Sequence, residues 1–148
     1  MHSLEIDKTL IPWVGKTAKM QRLFIGDKLK GYGPELTFEQ LLLLFMLHQK
    51  DGQNQNDLAF VTERNKASLA RLVDILEKKN LVARLPSVKD KRVNRIFLTK
   101  QGQIVFKETI PVVNEAFEKM QEGISPEEKE LAIKILQKIQ NNIKNLIK

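Results

Sequence analysis

The stretch NKASLARLVDILEKK, Asn65–Lys79, decides how the chain folds. Leu69, Leu72, Val73 and Leu76 step by 3, 1 and 3, which is one face of an α-helix. That face is predicted to enter a core, so the opposite face presents Lys66, Ser68 and Arg71 outwards. Just upstream, Asn54 with Asp57 three residues on can cap a short helix ending near Val61. Thr62-Glu63-Arg64 then makes a short break. A short helix, a turn of about three residues and a second helix form a helix-turn-helix. Basic and polar residues at the start of the second helix are what reading a major groove requires.

Beyond Asn80 the pattern changes. Val82-Ala83-Arg84-Leu85 and Asn94-Arg95-Ile96-Phe97-Leu98 are predicted strands, rich in apolar and β-branched residues. Pro86-Ser87-Val88-Lys89-Asp90-Lys91-Arg92-Val93 joins them as a basic hairpin. Two strands and a basic hairpin after a helix-turn-helix make a wing. Around this unit the chain is helical. Residues 9–30 show apolar recurrence, with Pro12 tolerable only in the first turn and Gly31-Tyr32-Gly33-Pro34 as a break. Thr37 and Gln40 form a capping-box pattern before the apolar run Leu41–Leu47, which suits a nearly all-buried helix. Thr99 can cap a helix over about 100–122 that Pro111 should kink and Gly123 should stop. Ser125-Pro126-Glu127-Glu128 starts the last helix, whose stripe is Leu131, Ile135, Ile139, Ile143 and Leu146. The fold class is therefore mainly α (α+β), a winged helix-turn-helix lobe with a two-strand wing, flanked by N- and C-terminal helices.

Charge is unevenly placed along the 148 residues. The total is 25 Lys plus Arg against 18 Asp plus Glu, a net +7. Residues 1–61 carry 7 basic and 7 acidic side chains, and residues 101–148 also carry 7 and 7. Residues 62–100 carry 11 basic and 4 acidic, so the whole excess falls on the second helix and the wing. A localised basic excess points to a polyanion, nucleic acid first. Anionic lipid fits less well, because these cations lie on a turn-rich wing rather than on one amphipathic helix.

Composition removes several alternatives. The absence of cysteine excludes thiol catalysis, disulfides, cysteine redox sensing and Cys-ligated zinc. His2 and His48 are the only histidines, so no metal site is expected. No phosphate-binding glycine motif or catalytic acidic pair is recognisable, and an enzyme is not expected. Leu41–Leu47 is the longest apolar run, far short of a membrane span. The start MHSLEIDKTL lacks the pattern of a signal peptide, so a cytoplasmic location is expected.

These elements resemble the MarR family of winged helix-turn-helix transcription regulators. The matching residues are Leu36-Thr37-x-x-Gln40, Asp57-Leu58-Ala59, Asn65–Ser68 with Leu69-x-Arg71-Leu72-Val73-Asp74, and Leu76–Lys79. They continue with Leu81-Val82-x-Arg84, Asp90-x-Arg92 and Leu98-Thr99-x-x-Gly102. Where the family usually has glycine this chain has Asn80, which also tolerates a left-handed backbone. The resemblance implies a single MarR-like domain over 1–148. In it, about 36–100 is the DNA-binding lobe, and 1–35 with 101–148 form a helical dimerisation region. It implies a homodimer, in keeping with the prevalence of twofold oligomers.

The expected function is that of a sequence-specific DNA-binding transcriptional regulator. It would be a repressor bound to a pseudo-palindromic operator on double-stranded DNA. The alternative is a winged-helix protein–protein module without specific DNA binding. The candidate DNA-binding residues are Asn65, Lys66, Ser68 and Arg71 on the second helix. Arg71 is suited to guanine and Lys66 to phosphate. On the wing they are Lys89, Asp90, Lys91, Arg92 and Arg95. By resemblance Arg92 reaches the minor groove or its flanking phosphates, and Asp90 orients it. Many members of the family release DNA when a small aromatic or anionic effector binds. Trp13, Met20, Phe24, Phe45 and Phe106 are the weak candidates for lining such a pocket, since large apolar residues at helical spacing are more often core.

Overall fold

The computed structural model describes residues 5–32, 35–61 and 65–147. The Thr62-Glu63-Arg64 break, His2, Gly33 and Pro34 lie outside the described residues. The chain divides into two compact units, Met1–Ala116 and Phe117–Lys148. In order, a 3-10 turn (Ile6–Lys8) precedes α1 (Ile11–Leu29), α2 (Phe38–Gln49), β1 (Gln53–Asn54), α3 (Gln55–Val61) and α4 (Lys66–Lys78). There follow β2 (Val82–Pro86), β3 (Asn94–Leu98), α5 (Lys100–Met120) and α6 (Pro126–Leu146).

Local chemistry sets most of these boundaries. Pro12 sits in the first turn of α1, where its missing N–H costs nothing. Thr37 and Gln40 close a reciprocal capping box on α2, and Ser125 and Glu128 close another on α6. The α4 terminus is a Schellman motif. The Leu81 N–H donates to Leu76 O at 2.9 Å and the Asn80 N–H to Glu77 O at 2.9 Å. Asn80 takes the left-handed conformation at φ 60°, as the sequence predicts. Pro111 lies within α5, which continues across it to Met120.

The core of the first unit forms where helices meet the sheet. Leu69, Leu72, Val73 and Leu76 of α4 are all buried, as are Leu43, Leu44 and Leu47 of α2 and Ile96 of β3. The α2 helix is less enclosed than its composition suggests, because Phe45 and His48 are exposed. Within the second unit α6 buries no residue on its own, and its apolar stripe is exposed or half-exposed.

The expected wing strands pair as β2 and β3, and β1 adds a third strand to the sheet. It has three antiparallel strands in the order β1-β3-β2, with Val82 opposite Leu98, Pro86 opposite Asn94, and Gln53 opposite Ile96. A strand of two residues is too short to show alternation, so side chains outside it do the fixing. Asp51 Oδ1 accepts from the Leu98 N–H at 2.8 Å, and Arg95 Nε donates to Gly52 O at 2.7 Å. Gln53 donates from its amide to Met46 O and Lys50 O.

The junction between α4, the sheet and α5 is the tightest point. Thr99 donates from its backbone N–H to Leu81 O, and Thr99 Oγ1 both donates to Asn80 O and accepts from the Gly102 N–H. A Cβ on Gly102 would lie 2.0 Å from Leu81 O, a backbone atom that cannot swing aside. Gly102→Ala should therefore destabilise the protein by about 3 kcal/mol, the upper end of overpacking costs. Urea unfolding would measure this, and an unchanged midpoint would contradict the close approach.

Candidate nucleic-acid interface

The α4 helix is rotated by its buried face, which leaves Lys66 and Arg71 exposed on the outer side and Ser68 half-buried. Neither Lys66 nor Arg71 pairs with a carboxylate among the described residues. Asn65 is the N-cap, and its Oδ1 accepts from the Ser68 N–H at 2.7 Å. That oxygen is thus committed to capping the helix, although Asn65 as a residue is exposed. The first turn of α4 carries no acidic side chain, so the positive end of its dipole is uncompensated. Ser68 and Arg71 border one shallow groove of about 360 Å³ with Thr37, Glu39 and Gln40 of the α2 start.

The wing hairpin is held by Asp90. Its Oδ1 accepts from the Arg92 backbone N–H at 3.0 Å and from Arg92 Nε at 3.1 Å, while Oδ2 accepts from Arg92 Nη2 at 3.2 Å. The Val93 N–H donates to Asp90 O and the Ser87 N–H to Val93 O, closing the turn. Arg92 is held by this fork yet its side chain is 91% exposed. The guanidinium bonds, then the backbone N–H of Arg92, hold the Asp90 carboxyl below its ordinary range. A lowered carboxyl means this contribution is present at neutral pH and lost only as pH falls through the folded-state value. Arg92 borders a small recess with Gln55 and Asn56 of α3, away from the groove holding Arg71. Lys89 and Lys91 are exposed on the same hairpin.

Arg95 behaves differently from the other wing cations. Its Nε is bonded to Gly52 O, and its guanidinium carbon sits 5.3 Å from the Phe97 ring centroid. It is a clamp on β1 as well as a surface charge. Two further cations that the sequence did not single out are also engaged. Lys79 Nζ donates to Glu35 O and to Gln40 Oε1. Arg84, 20% exposed, spans α3 and α4 through Gln55, Ala70, Asp74 and Glu77. The only sequence signal for Arg84 is its place in the Leu81-Val82-x-Arg84 motif.

The five candidate effector residues lie on α1, α2 and α5. Trp13 and Met20 are exposed on α1, and Trp13 Nε1 donates to Asp7 O, tying down the preceding turn. Phe24 is half-buried with Lys28 Nζ 5.4 Å from its ring. Phe45 and buried Phe106 are in ring contact at 6.3 Å, and His48 stacks on Phe106 at 4.5 Å. An open cleft of about 830 Å³ lies elsewhere, between α1 and the α2 start, lined by Arg22, Leu23, Lys30, Leu36, Glu39 and Lys79 among others. Among the described residues no group of three or more His, Cys, Asp or Glu could hold a metal ion, and no helix is long and apolar enough to cross a membrane.

Comparison with known proteins agrees with this geometry. Residues 36–93 match the model of the MarR family. Among solved structures, the chain is similar to Staphylococcus aureus MepR in complex with DNA. The identity is 26% and the TM-score 0.82, covering 90% of this chain and 98% of that one. It shares the fold of an Escherichia coli MarR mutant complexed with operator DNA, at 18% identity and TM-score 0.85, covering 94% and 99%. It also shares the fold of Bordetella bronchiseptica BpsR, from a study of how 6-hydroxynicotinic acid regulates that protein's DNA binding. There the identity is 16% and the TM-score 0.83, covering 95% and 97%. The helix-turn-helix and wing thus carry a MarR-family match over residues 36–93, and the chain as a whole shares the fold of solved MarR transcriptional regulators.

Proposed function

We propose that this regulator binds a pseudo-palindromic operator as a homodimer and represses transcription there. Residues 36–100 would act as the DNA-binding lobe, and residues 1–35 with 101–148 as the dimerisation region of one MarR-like domain. The observation that carries the proposal is the placement of unpaired or outward-held cations. Lys66 and Arg71 stand exposed on the outer face of α4, and Arg92 is held outward by Asp90. In a twofold dimer two such helices enter successive major grooves about one turn apart. Asn65 shapes the helix start, Lys66 meets phosphate, and Ser68 and Arg71 face base edges. On the wing, Lys89, Lys91 and Arg95 supply backbone attraction while Arg92, oriented by Asp90, reaches the minor groove. The likeness to MepR, solved with DNA, supports this reading.

Exposed apolar residues support the dimer. On α1 these include Ile11, Met20 and Leu23, with Leu10 just before it, and on α6 Leu131, Leu136, Ile143 and Leu146. A second copy would remove those faces from water. The protein would work in the cytoplasm, and a small aromatic or anionic effector would release it from DNA. The ring pair of Phe45 and Phe106 supports placing part of that effector site between α2 and α5.

Arg92→Ala should weaken operator binding at least about tenfold while the dimer persists, because a minor-groove contact is lost without touching the core. Gel shift with size-exclusion chromatography checks both halves, and unchanged binding would contradict the wing role. Arg71→Ala should relax base preference more than it lowers affinity for random duplex, as expected for a bidentate guanine contact worth about 1–3 kcal/mol. Selection of bound sequences by the two proteins would show it, and equal losses on operator and random DNA would count against base reading. Operator affinity should fall steeply with salt, at roughly 0.9 log unit per log unit for each phosphate contacted. A flat dependence in fluorescence anisotropy would move the contact away from the basic segment.

A further inference from the structure

We infer that Arg84 is a positioning residue that sets where the recognition helix sits relative to the wing, and so governs sequence discrimination without touching DNA. This rests on the DNA-binding reading above. Arg84 lies on β2, the strand that leads into the wing hairpin, and its guanidinium bonds outward from the sheet to two helices. Nε donates to Gln55 Oε1 of α3 at 2.9 Å. Nη1 donates to Asp74 Oδ1 at 2.8 Å and Glu77 Oε1 at 3.5 Å, and Nη2 donates to Ala70 O at 3.3 Å. All three nitrogens are used, and the side chain is only 20% exposed.

The geometry explains why one group can do this. A guanidinium is a rigid planar fork, so fixing three of its bonds fixes the relative placement of the elements that supply them. Lysine, with a single nitrogen, cannot reach α3 and two turns of α4 together. The buried Leu69, Leu72, Val73 and Leu76 determine how α4 is rotated, but apolar contact is non-directional and tolerates sliding along the axis. Arg84 bonds at Ala70, Asp74 and Glu77, which lie 4 and 3 residues apart on the face turned towards β2. Ala70 immediately precedes Arg71, the proposed base-reading residue. The strand that carries Arg84 continues into the hairpin that carries Arg92. Arg84 therefore ties the position of one proposed DNA contact to that of the other.

The test compares wild type, Arg84→Lys, Arg84→Gln and Asp74→Asn. Anisotropy is measured on a duplex that the wild type selects from random sequence and on a random duplex of equal length, with thermal melting as the fold control. Arg84→Lys keeps the charge and should lose about tenfold on the selected duplex but less than about twofold on the random one. Asp74, half-exposed, can be changed without opening the core if the arginine variants fail to fold. Electrostatics alone makes Asp74→Asn bind all DNA more tightly, since it removes a negative charge, whereas positioning makes it bind the selected duplex more weakly. Equal losses on both duplexes for Arg84→Lys would mean that Arg84 touches phosphate, and tighter selected-duplex binding by Asp74→Asn would mean that the network positions nothing. Either result overturns the inference. A wild type with no sequence preference overturns the operator reading and this inference together. A selective wild type with unaffected variants overturns this inference alone.

Discussion

Burial of a single face of α4 is the constraint from which the rest follows. Leu69, Leu72, Val73 and Leu76 are all removed from water, and fully burying each such side chain is worth about 1.5–3 kcal/mol. A helix of 13 residues cannot turn about its axis without exposing some of them. Its outward face is therefore fixed by its inward one, and Lys66 and Arg71 are presented without any polar interaction having to hold them out. The Schellman end at Asn80 and Leu81 then turns the chain sharply into β2. This works only because Gly102 leaves room for Leu81 O against the start of α5. Packing, helix end and strand start form one continuous piece of backbone.

Much of this was legible in the sequence because the decisive signals are local and periodic. The 3-1-3 apolar step of α4, the capping boxes at Thr37 and Ser125, and the left-handed tolerance of Asn80 each express chemistry within one helical turn. What escaped depends on partners distant in sequence. The β1 strand is two residues long and exists through pairing with β3 and through the Asp51 carboxylate on the Leu98 N–H. Hydropathy alternation cannot register an element of that size. Phe45 shows the opposite failure: it sits in an apolar run yet is exposed, because a helix of twelve residues buried on one side still has an outer side.

The candidate interface was legible as a region and less so as residues. Counting charge located the excess at 62–100, but a count treats all cations alike. The structure separates them by what they already hold. Arg84 spans two helices, Arg95 clamps Gly52, and Lys79 closes onto Glu35 and Gln40, so part of the excess is spent within the fold. Lys66, Arg71, Lys89 and Lys91 are left exposed, and Arg92 is oriented rather than buried. Asn65 passes from a surface polar residue to the cap that begins the helix. Polar residues at a helix start serve both purposes, and only the bond to the Ser68 N–H distinguishes them.

Acidic residues sharpen the picture further. In a surface built to attract phosphate, each carboxylate opposes binding unless it does something else. Asp90 meets that condition by accepting three bonds from Arg92, and its depressed carboxyl shows that the pairing favours the charged form. Such an exposed pair contributes little stability, so its value lies in narrowing the directions open to a long side chain. Asp74 and Glu77 meet the same condition on α4, where Arg84 neutralises both while drawing them to the sheet. The described carboxylates of the basic segment thus all sit on arginines, one at the wing and one beneath the recognition helix. Orientation is bought at those two places, and the cations between them stay available to a polyanion.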